Sequence, residues 1–487
     1  MTSLVLRRVR RAGVDEPGDV LVRDGLVRAL APSLAVPTGA EVVDCAGRFV
    51  MPGLWDQHVH ATQWAMSRRR LDLSRASSAA QVVALVAAAL PHARAGTPLV
   101  GHGFRDGLWP DEPLVADLDA VAGDVPVVLV SGDLHCAWAS TAGLRFLGAR
   151  PVPGLLREGD WLPLQGGIDR WPDDAVDGMV EDALLAAAAR GVVGVVDFEI
   201  ADNLAVWRRR SAAGRVPVRV RAGVWQAYLD RVLHDELHTG DHVHGLVTQG
   251  PLKIIVDGSL NTRTAWCDDP YPGTADRGVL SVPGPTLEPL LAHAHAHGLR
   301  AALHAIGDAA ARVVLDAFEV TGARGSVEHA QLLSVADVAR LARLGLVASV
   351  QPAHLVDDRS VAEQHWAGRT DRAFPYGALH RAGARLALGS DAPVAPLDPW
   401  LAIDAAVHRG APGDDAWHPE QALPAAVALD ASLDGQPRGL RVGMPADLVV
   451  LDDDPVAVAA TPGALRSLGV SGTLVAGAWV HRDPSLG

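Results

Sequence analysis

Both ends of the chain consist of short β-rich runs separated by turns. At the start these are Leu4–Val9, Asp19–Arg23, Leu26–Leu30 and Glu41–Asp44, and at the end Ala446–Leu451 and Thr473–His481. The two ends read as halves of one small β-structure closed by both termini. Between them the pattern changes. Apolar strand-like runs alternate with helical stretches rich in Ala, Leu, Val and Arg, as in a parallel α/β fold. Eight runs predict barrel strands: Phe49–His58, Val192–Phe198, Val218–Val224, Leu252–Asp257, Arg300–His304, Ser326–His329, Leu346–Gln351 and Arg385–Ser390. The mostly apolar runs among them suit strands covered on both faces. Most gaps leave room for one helix per crossover; the gap from about 61 to 190 is too long for that. It carries further strand-like runs (Pro98–His102 and Pro126–Ser131) and segments around Trp109, Trp138, Trp161 and Trp171. This stretch predicts an insertion between the first and second barrel strands, with its Trp side chains forming a local core.

A chain of 487 residues, 49% hydrophobic and 21% charged, holds a large core. The formal net charge of −14 and pI of about 5.7 argue against nucleic acid or an anionic membrane as the main partner. Arg7, Arg8, Arg10 and Arg11 are not followed by an apolar stretch, so they do not open a signal peptide. No run of about eighteen apolar residues predicts a membrane span. Cys45, Cys136 and Cys267 are scattered and odd in number, which fits neither a disulfide framework nor a thiolate metal site. The expected location is the cytoplasm, and a homo-oligomer is left open.

Of the 43 basic residues, Lys253 alone is lysine. Arg stays charged in proteins, whereas a lysine amine can lose its proton and become a nucleophile. A Schiff base needs such an amine. So does a lysine that takes up carbon dioxide and becomes a carbamate metal ligand. Chance survival of one lysine is the third alternative, and composition does not choose among them.

The predicted strand ends carry further chemistry. Asp56-Gln57-His58-Val59-His60 follows the apolar Met51-Pro52-Gly53-Leu54-Trp55. Side chains alternate along a strand, so His58 and His60 face one side, where two imidazoles can bind one ion. Alone, that pair is a weak signal. His304 ends Ala301–His304, His329 ends Ser326–His329, and Asp391 follows Leu386–Ser390. Active sites of parallel barrels form at the C-terminal strand ends. Each His by itself is more often structural, but this conjunction at several strand ends is not explained by packing. His and carboxylate donors suit Zn²⁺ and related divalent ions. Such an ion lowers the pKa of a water to roughly 7 and polarises a carbonyl. An ionised Asp391 beside it can relay the proton to a departing amine.

With these motifs the chain resembles, over nearly all its length, the amidohydrolase superfamily of metal-dependent (β/α)₈-barrel hydrolases. The order His58, His60, Lys253, His304, His329, Asp391 carries the likeness. A closer likeness is to the YtcJ-like branch, which includes N-substituted formamide deformylase. It rests on Leu252–Leu260, Leu303–Asp308, Val327–Ala330, Ser349–His354, Gly389–Val394 and Ala446–Leu451. The resemblance implies an α/β fold with a TIM barrel over residues 51–437, with 61–190 inserted after the first strand. It implies a small β-sandwich made from residues 1–50 and 438–487. It implies that His58 and His60 bind one metal, and that His304 and His329 bind a second. Lys253 would bridge both as a carbamate, and Asp391 would bind the first and act as acid and base. Lys253 lies early in its strand, with Asp257 nearer the end. A single-ion site of His58, His60, His304 and Asp391, with His329 on the water or substrate, is the alternative.

The candidates for substrate contact are His135, Arg263, Gln351 and His354. His135 lies in the insertion, followed by Ala139-Ser140 where the branch commonly has Asn-Ser. Arg263 lies in the loop after the Lys253 strand, and Gln351 and His354 at the end of the seventh strand and just beyond. Glu328 is expected to point away from His329 across its strand, in a structural role. His293, His295 and His297 are expected on a solvated helix, where only His293 and His297 share a face. The expected activity is hydrolysis of a non-peptide carbon–nitrogen bond by a metal-activated hydroxide. The small-molecule substrate is an N-formyl or N-acyl amine by family analogy. The expected cofactors are one or two divalent ions, foremost Zn²⁺, with carbon dioxide on Lys253 where there are two. A single-metal deaminase or cyclic-amide hydrolase, and a non-catalytic relative, are the competing readings.

Overall fold

The computed structural model describes residues 3–93, 97–132, 134, 136–168 and 171–486. Eight parallel strands form a nearly closed barrel: β1 Leu54–Val59, β2 Val192–Asp197, β3 Arg219–Trp225, β4 Val247–Ile255, β5 Ala301–Ala305, β6 Gly325–His329, β7 Val347–Val350 and β8 Arg385–Leu388. Their apolar side chains meet those of outer helices such as Gly284–Ala296 and Asp308–Thr321 in one core, which includes Leu252, Leu303, Val327 and Leu388. β8 meets β1 through a bridge between Val59 and Ala392. There Asp391 N–H donates to His58 O at 2.7 Å, and His60 N–H to Ala392 O at 2.8 Å. Gly389 permits this closure, because a Cβ on it would lie 2.7 Å from His58 N. The barrel seam is therefore also where the H-x-H pair meets Asp391.

Two barrel strands depart most from expectation, and the terminal run Thr473–His481 is two paired strands, Val470–Val475 and Ala478–Arg482. Phe49–His58 is not one strand but two, divided at Gly53. Phe49–Pro52 pairs antiparallel with Leu448–Leu451, and Leu54–Val59 enters the barrel. Gly53 N–H donates to Asp447 O at 2.9 Å, and a Cβ there would sit 2.1 Å from Val193 Cγ1. Close backbone approach, not a change of polarity, marks the division. β4 starts at Val247 rather than Leu252, because its early part also pairs with the short strand His242–His244.

Both termini build one eight-stranded sheet. Its order is Ala478–Arg482, Val470–Val475, Leu448–Leu451, Phe49–Pro52, Ser3–Arg11, Val14–Arg23 and Leu26–Ala31, with Glu41–Asp44 on Ser3–Arg11. Alternate side chains from both ends of the sequence, including Leu4, Leu6, Val20, Val27, Val50, Val450 and Leu474, share one core.

Residues Thr62–Val180 form a second compact unit. It has its own five-stranded sheet, in the order Leu155–Arg157, Cys136–Ala139, Val127–Ser131, Leu99–Phe104, Leu71–Asp72. Trp138 and Trp161 are fully buried in its two apolar clusters, and Trp109 packs against one of them. Trp171 corrects the expectation of a shared local core: it lies outside both clusters and is 41% exposed. Among the described residues the three cysteines are buried and free, and no helix is long and apolar enough to cross a membrane. His293, His295 and His297 are all exposed, and the rings of His293 and His297 are 4.6 Å apart.

Candidate metal centre

The barrel ends gather a set of buried and half-buried donors. His58 Nε2 lies 3.6 Å from Asp391 Oδ1, and His60 Nε2 lies 3.3 Å from the same oxygen. Lys253, fully buried on β4, places its Nζ 3.3 Å from His58 Nε2 and 4.7 Å from the centre of the Phe198 ring. Its long side chain thus reaches the site from an early strand position. The donor atoms of His58, His60 and Asp391 all lie within 4.8 Å of one another, as do those of His329, His354 and Asp391. Two ligands of one tetrahedral ion, bonded at about 2.1 Å, sit about 3.4 Å apart. The spacings around Asp391 Oδ1 fit that. His329 Nδ1 is also buried without a hydrogen-bond partner. An unpaired buried polar atom is costly, and a bound cation gives a nitrogen lone pair a partner.

Strand alternation alone would not make this set. Glu328 and His329 are neighbours, yet both address the same centre. Glu328 Oε2 is 2.7 Å from His58 Nδ1. The His329 ring is 5.1 Å from that of His58 and 4.5 Å from that of His304. The expectation that Glu328 faces away is therefore corrected. The reason is in the backbone: His329 and Ala330 have φ of 70° and 44°, and Asp391 has 58°. Left-handed backbone is uncommon for residues with a Cβ and recurs at functional sites. Here it ends the alternation at the tip of β6.

The electrostatics fix protonation states useful for metal binding. Burial, with the charge of Lys253 adding to it, brings His58 down to about 4, so its ring is neutral near pH 7. Burial and the neighbouring His304 hold His329 well below the usual histidine range. Burial would raise Asp391, but His58, His60 and His329 outweigh it and keep the carboxyl ionised, well below the usual range. Burial likewise opposes ionisation of Glu328, and the hydrogen bond with His58 prevails and lowers its pKa. With Glu328 ionised, His58 Nδ1 carries the proton and donates, leaving the Nε2 lone pair for an ion. Carboxylates that orient a ligating His in this way matter nearly as much as the ligand itself. Glu328→Ala is expected to weaken binding of Zn²⁺ about 10- to 100-fold, with Glu328→Gln recovering part of it through the amide oxygen. Competition against a chromophoric chelator measures this; equal affinity in all three proteins would sink the role.

Other carboxylates that the sequence pattern did not mark lace the strand ends together. Asp56 Oδ1 accepts from His58 N–H and Ser390 N–H, at 3.1 and 2.9 Å. Asp197 accepts from Ala61 N–H at 2.8 Å and from Trp207 Nε1–H at 2.7 Å. Asp257 accepts from Trp266, Ile306 and Gly307 N–H at 2.9 to 3.0 Å, and its Oδ1 is 3.0 Å from His304 Nδ1. Their signal was an Asp within or at the end of each apolar run, but most of their partners are backbone N–H groups near the strand ends, many of them distant in sequence.

Of the substrate candidates, Gln351 and His354 are buried at the end of β7. His354 stacks on His329 at 6.1 Å, and its Nε2 lies 3.8 Å from Asp391 Oδ2. Arg263 is exposed in its loop, with φ of 58°, and its charge acts on His365. His135 lies outside the described residues.

The chain belongs to the amidohydrolase family, whose family model matches residues 41–481. It is 27% identical to putative amidohydrolase YtcJ of Bacillus subtilis (strain 168), over 96% of this chain and 97% of that one. It is 26% identical to N-substituted formamide deformylase of Arthrobacter pascens, over 91% of this chain and 90% of that one. A solved structure of an uncharacterized metal-dependent hydrolase from Pyrococcus horikoshii OT3 superposes with a TM-score of 0.79 at 26% identity, covering 93% of this chain and 98% of that one. The chain is thus a hydrolase of carbon–nitrogen bonds on a TIM-type barrel.

Proposed function

We propose that this amidohydrolase cleaves the amide bond of an N-formyl or N-acyl amine, with Asp391 as the general acid and base. The position of Asp391 carries this reading. It is ionised, buried at the barrel seam, and divides its oxygens: Oδ1 faces His58 and His60, and Oδ2 faces His354. His58, His60 and Asp391 would hold one divalent ion, foremost Zn²⁺, and His304 and His329 a second, with a carbamate on Lys253 contributing to both. A divalent ion in such a site acidifies a water and polarises a carbonyl. Asp391 takes a proton from the water that attacks the carbonyl carbon. It returns that proton to the nitrogen as the carbon–nitrogen bond breaks, giving a carboxylic acid and an amine.

The carbamate needs a neutral amine. Burial brings Lys253 down to about 8, against the opposing pull of Glu328 and Asp391. A fraction of the amine is then neutral at mildly alkaline pH, and its lone pair can take up carbon dioxide with loss of one proton. The similarity to N-substituted formamide deformylase supports the formyl substrate. A reducing, cytoplasmic setting fits three buried free thiols.

Metal-stripped protein reloaded with Zn²⁺ and bicarbonate is expected to hydrolyse formanilide or its N-acyl analogues, followed by release of aniline. Release of ammonia from amino-heterocycles instead, with one ion per chain, would replace this reading with the deaminase. Bound metal without turnover of amides, lactams or esters would replace it with a non-catalytic role.

A further inference from the structure

The end of β7 carries two buried polar atoms that the proposed chemistry leaves unused. Gln351 is 3% exposed and His354 is 8% exposed. Gln351 Nε2 donates to Ser349 O at 3.3 Å, which turns that amide's other end, Oε1, into an acceptor with no partner. His354 Nε2 also lacks a hydrogen-bond partner, and its 3.8 Å separation from Asp391 Oδ2 exceeds hydrogen-bond length. The two residues are fixed relative to each other. Gln351 stands at the N-terminal boundary of the helix Pro352–His365, and His354 N–H donates to Gln351 O at 3.1 Å in its first turn. Stacking on His329 holds the His354 ring at the donor cluster. One unpaired acceptor and one ring nitrogen able to donate complement an amide that keeps its N–H, which offers one acceptor oxygen and one donor.

We propose that Gln351 and His354 recognise the amide group of the substrate. His354 Nε2–H donates to the carbonyl oxygen, and Gln351 Oε1 accepts the N–H of the scissile bond. The substrate class is then N-monosubstituted amides, with N,N-disubstituted ones rejected. This assignment rests on the amide hydrolysis proposed above.

The test compares formanilide with N-methylformanilide on the Zn²⁺-loaded protein. Sites built to hydrogen-bond a substrate N–H discriminate strongly against analogues that lack it, so wild-type kcat/KM should favour formanilide by about 100-fold or more. Gln351→Met removes the acceptor at similar volume and should cut that ratio at least about tenfold. Gln351→Glu, which keeps an acceptor, should retain it. His354→Ala should raise KM for both amides, with partial recovery in His354→Asn. Zn²⁺ content should match wild type in every variant. An unchanged ratio in Gln351→Met would overturn the assignment, as would loss of an ion in His354→Ala, which would make His354 a ligand. If Gln351→Met does not fold, an unchanged KM in His354→Ala decides against it. Turnover of neither amide by wild type would sink the hydrolysis reading and this assignment with it, whereas turnover without discrimination sinks this assignment alone.

Discussion

Asp391→Asn is expected to lower kcat by about 10²- to 10⁴-fold, the range that positioned proton transfer supplies. Asn is the informative replacement for a backbone reason. Asp391 sits at φ 58°, a region Asn tolerates better than most residues with a Cβ, so the barrel seam keeps its geometry. The amide oxygen of the replacement side chain can still approach His58 and His60, but it cannot accept and return a proton. The measurement is kcat on formanilide beside Zn²⁺ content and thermal melting temperature. A folded, metal-loaded variant within tenfold of wild-type kcat would remove Asp391 from the proton pathway. A variant that loses its metal separates ligation from proton transfer, and kcat at saturating Zn²⁺ then decides the second question.

The barrel and most of its donors were legible because two simple rules met at the same positions. A parallel strand covered on both faces must be apolar, so a His or Asp at its tip stands out, as His304, His329 and Asp391 do. The H-x-H added a spacing that puts two rings on one side. What stayed hidden depended on departures from ideal geometry or on distant backbone. Glu328 was misplaced because alternation was extended through His329, where positive φ ends it. Gly53 divides two strands with no polarity change around it, since the cause is the approach of Val193 from the next barrel strand. Asp197 and Asp257 look like ordinary strand-end residues. Asp257 meets an N–H fifty positions on, and Asp197 meets one that the whole inserted unit separates from it in sequence. Gln351 and His354 were visible as pocket candidates. Their unpaired atoms, which carry the substrate argument, exist only in three dimensions.

Lys253→Met is expected to cost activity by about 10²-fold or more, because each lost 1.4 kcal/mol of transition-state stabilisation is about tenfold and a catalytic ion supplies several. Methionine nearly matches lysine in length, so packing against Phe198 persists while the nitrogen that meets His58 Nε2 is gone. Lys253→Arg is expected to fail as completely. A guanidinium stays charged and cannot form a carbamate, and its added bulk would press on His58 in a fully buried place. That gives a physical reason for one lysine to persist in a chain that uses arginine everywhere else. Three readings decide its role: ions per chain, activity with and without bicarbonate, and recovery of Lys253→Ala by acetate or propionate, whose carboxylate can stand where the carbamate would. Two ions falling to one, bicarbonate dependence and carboxylate rescue together support the bridging carbamate. One ion in both wild type and Lys253→Met, with no bicarbonate effect, leaves Lys253 as a positive charge beside His58 and a site that works with a single metal. Full activity in Lys253→Met would reduce the lysine to packing and leave the single-ion site of His58, His60, His304 and Asp391.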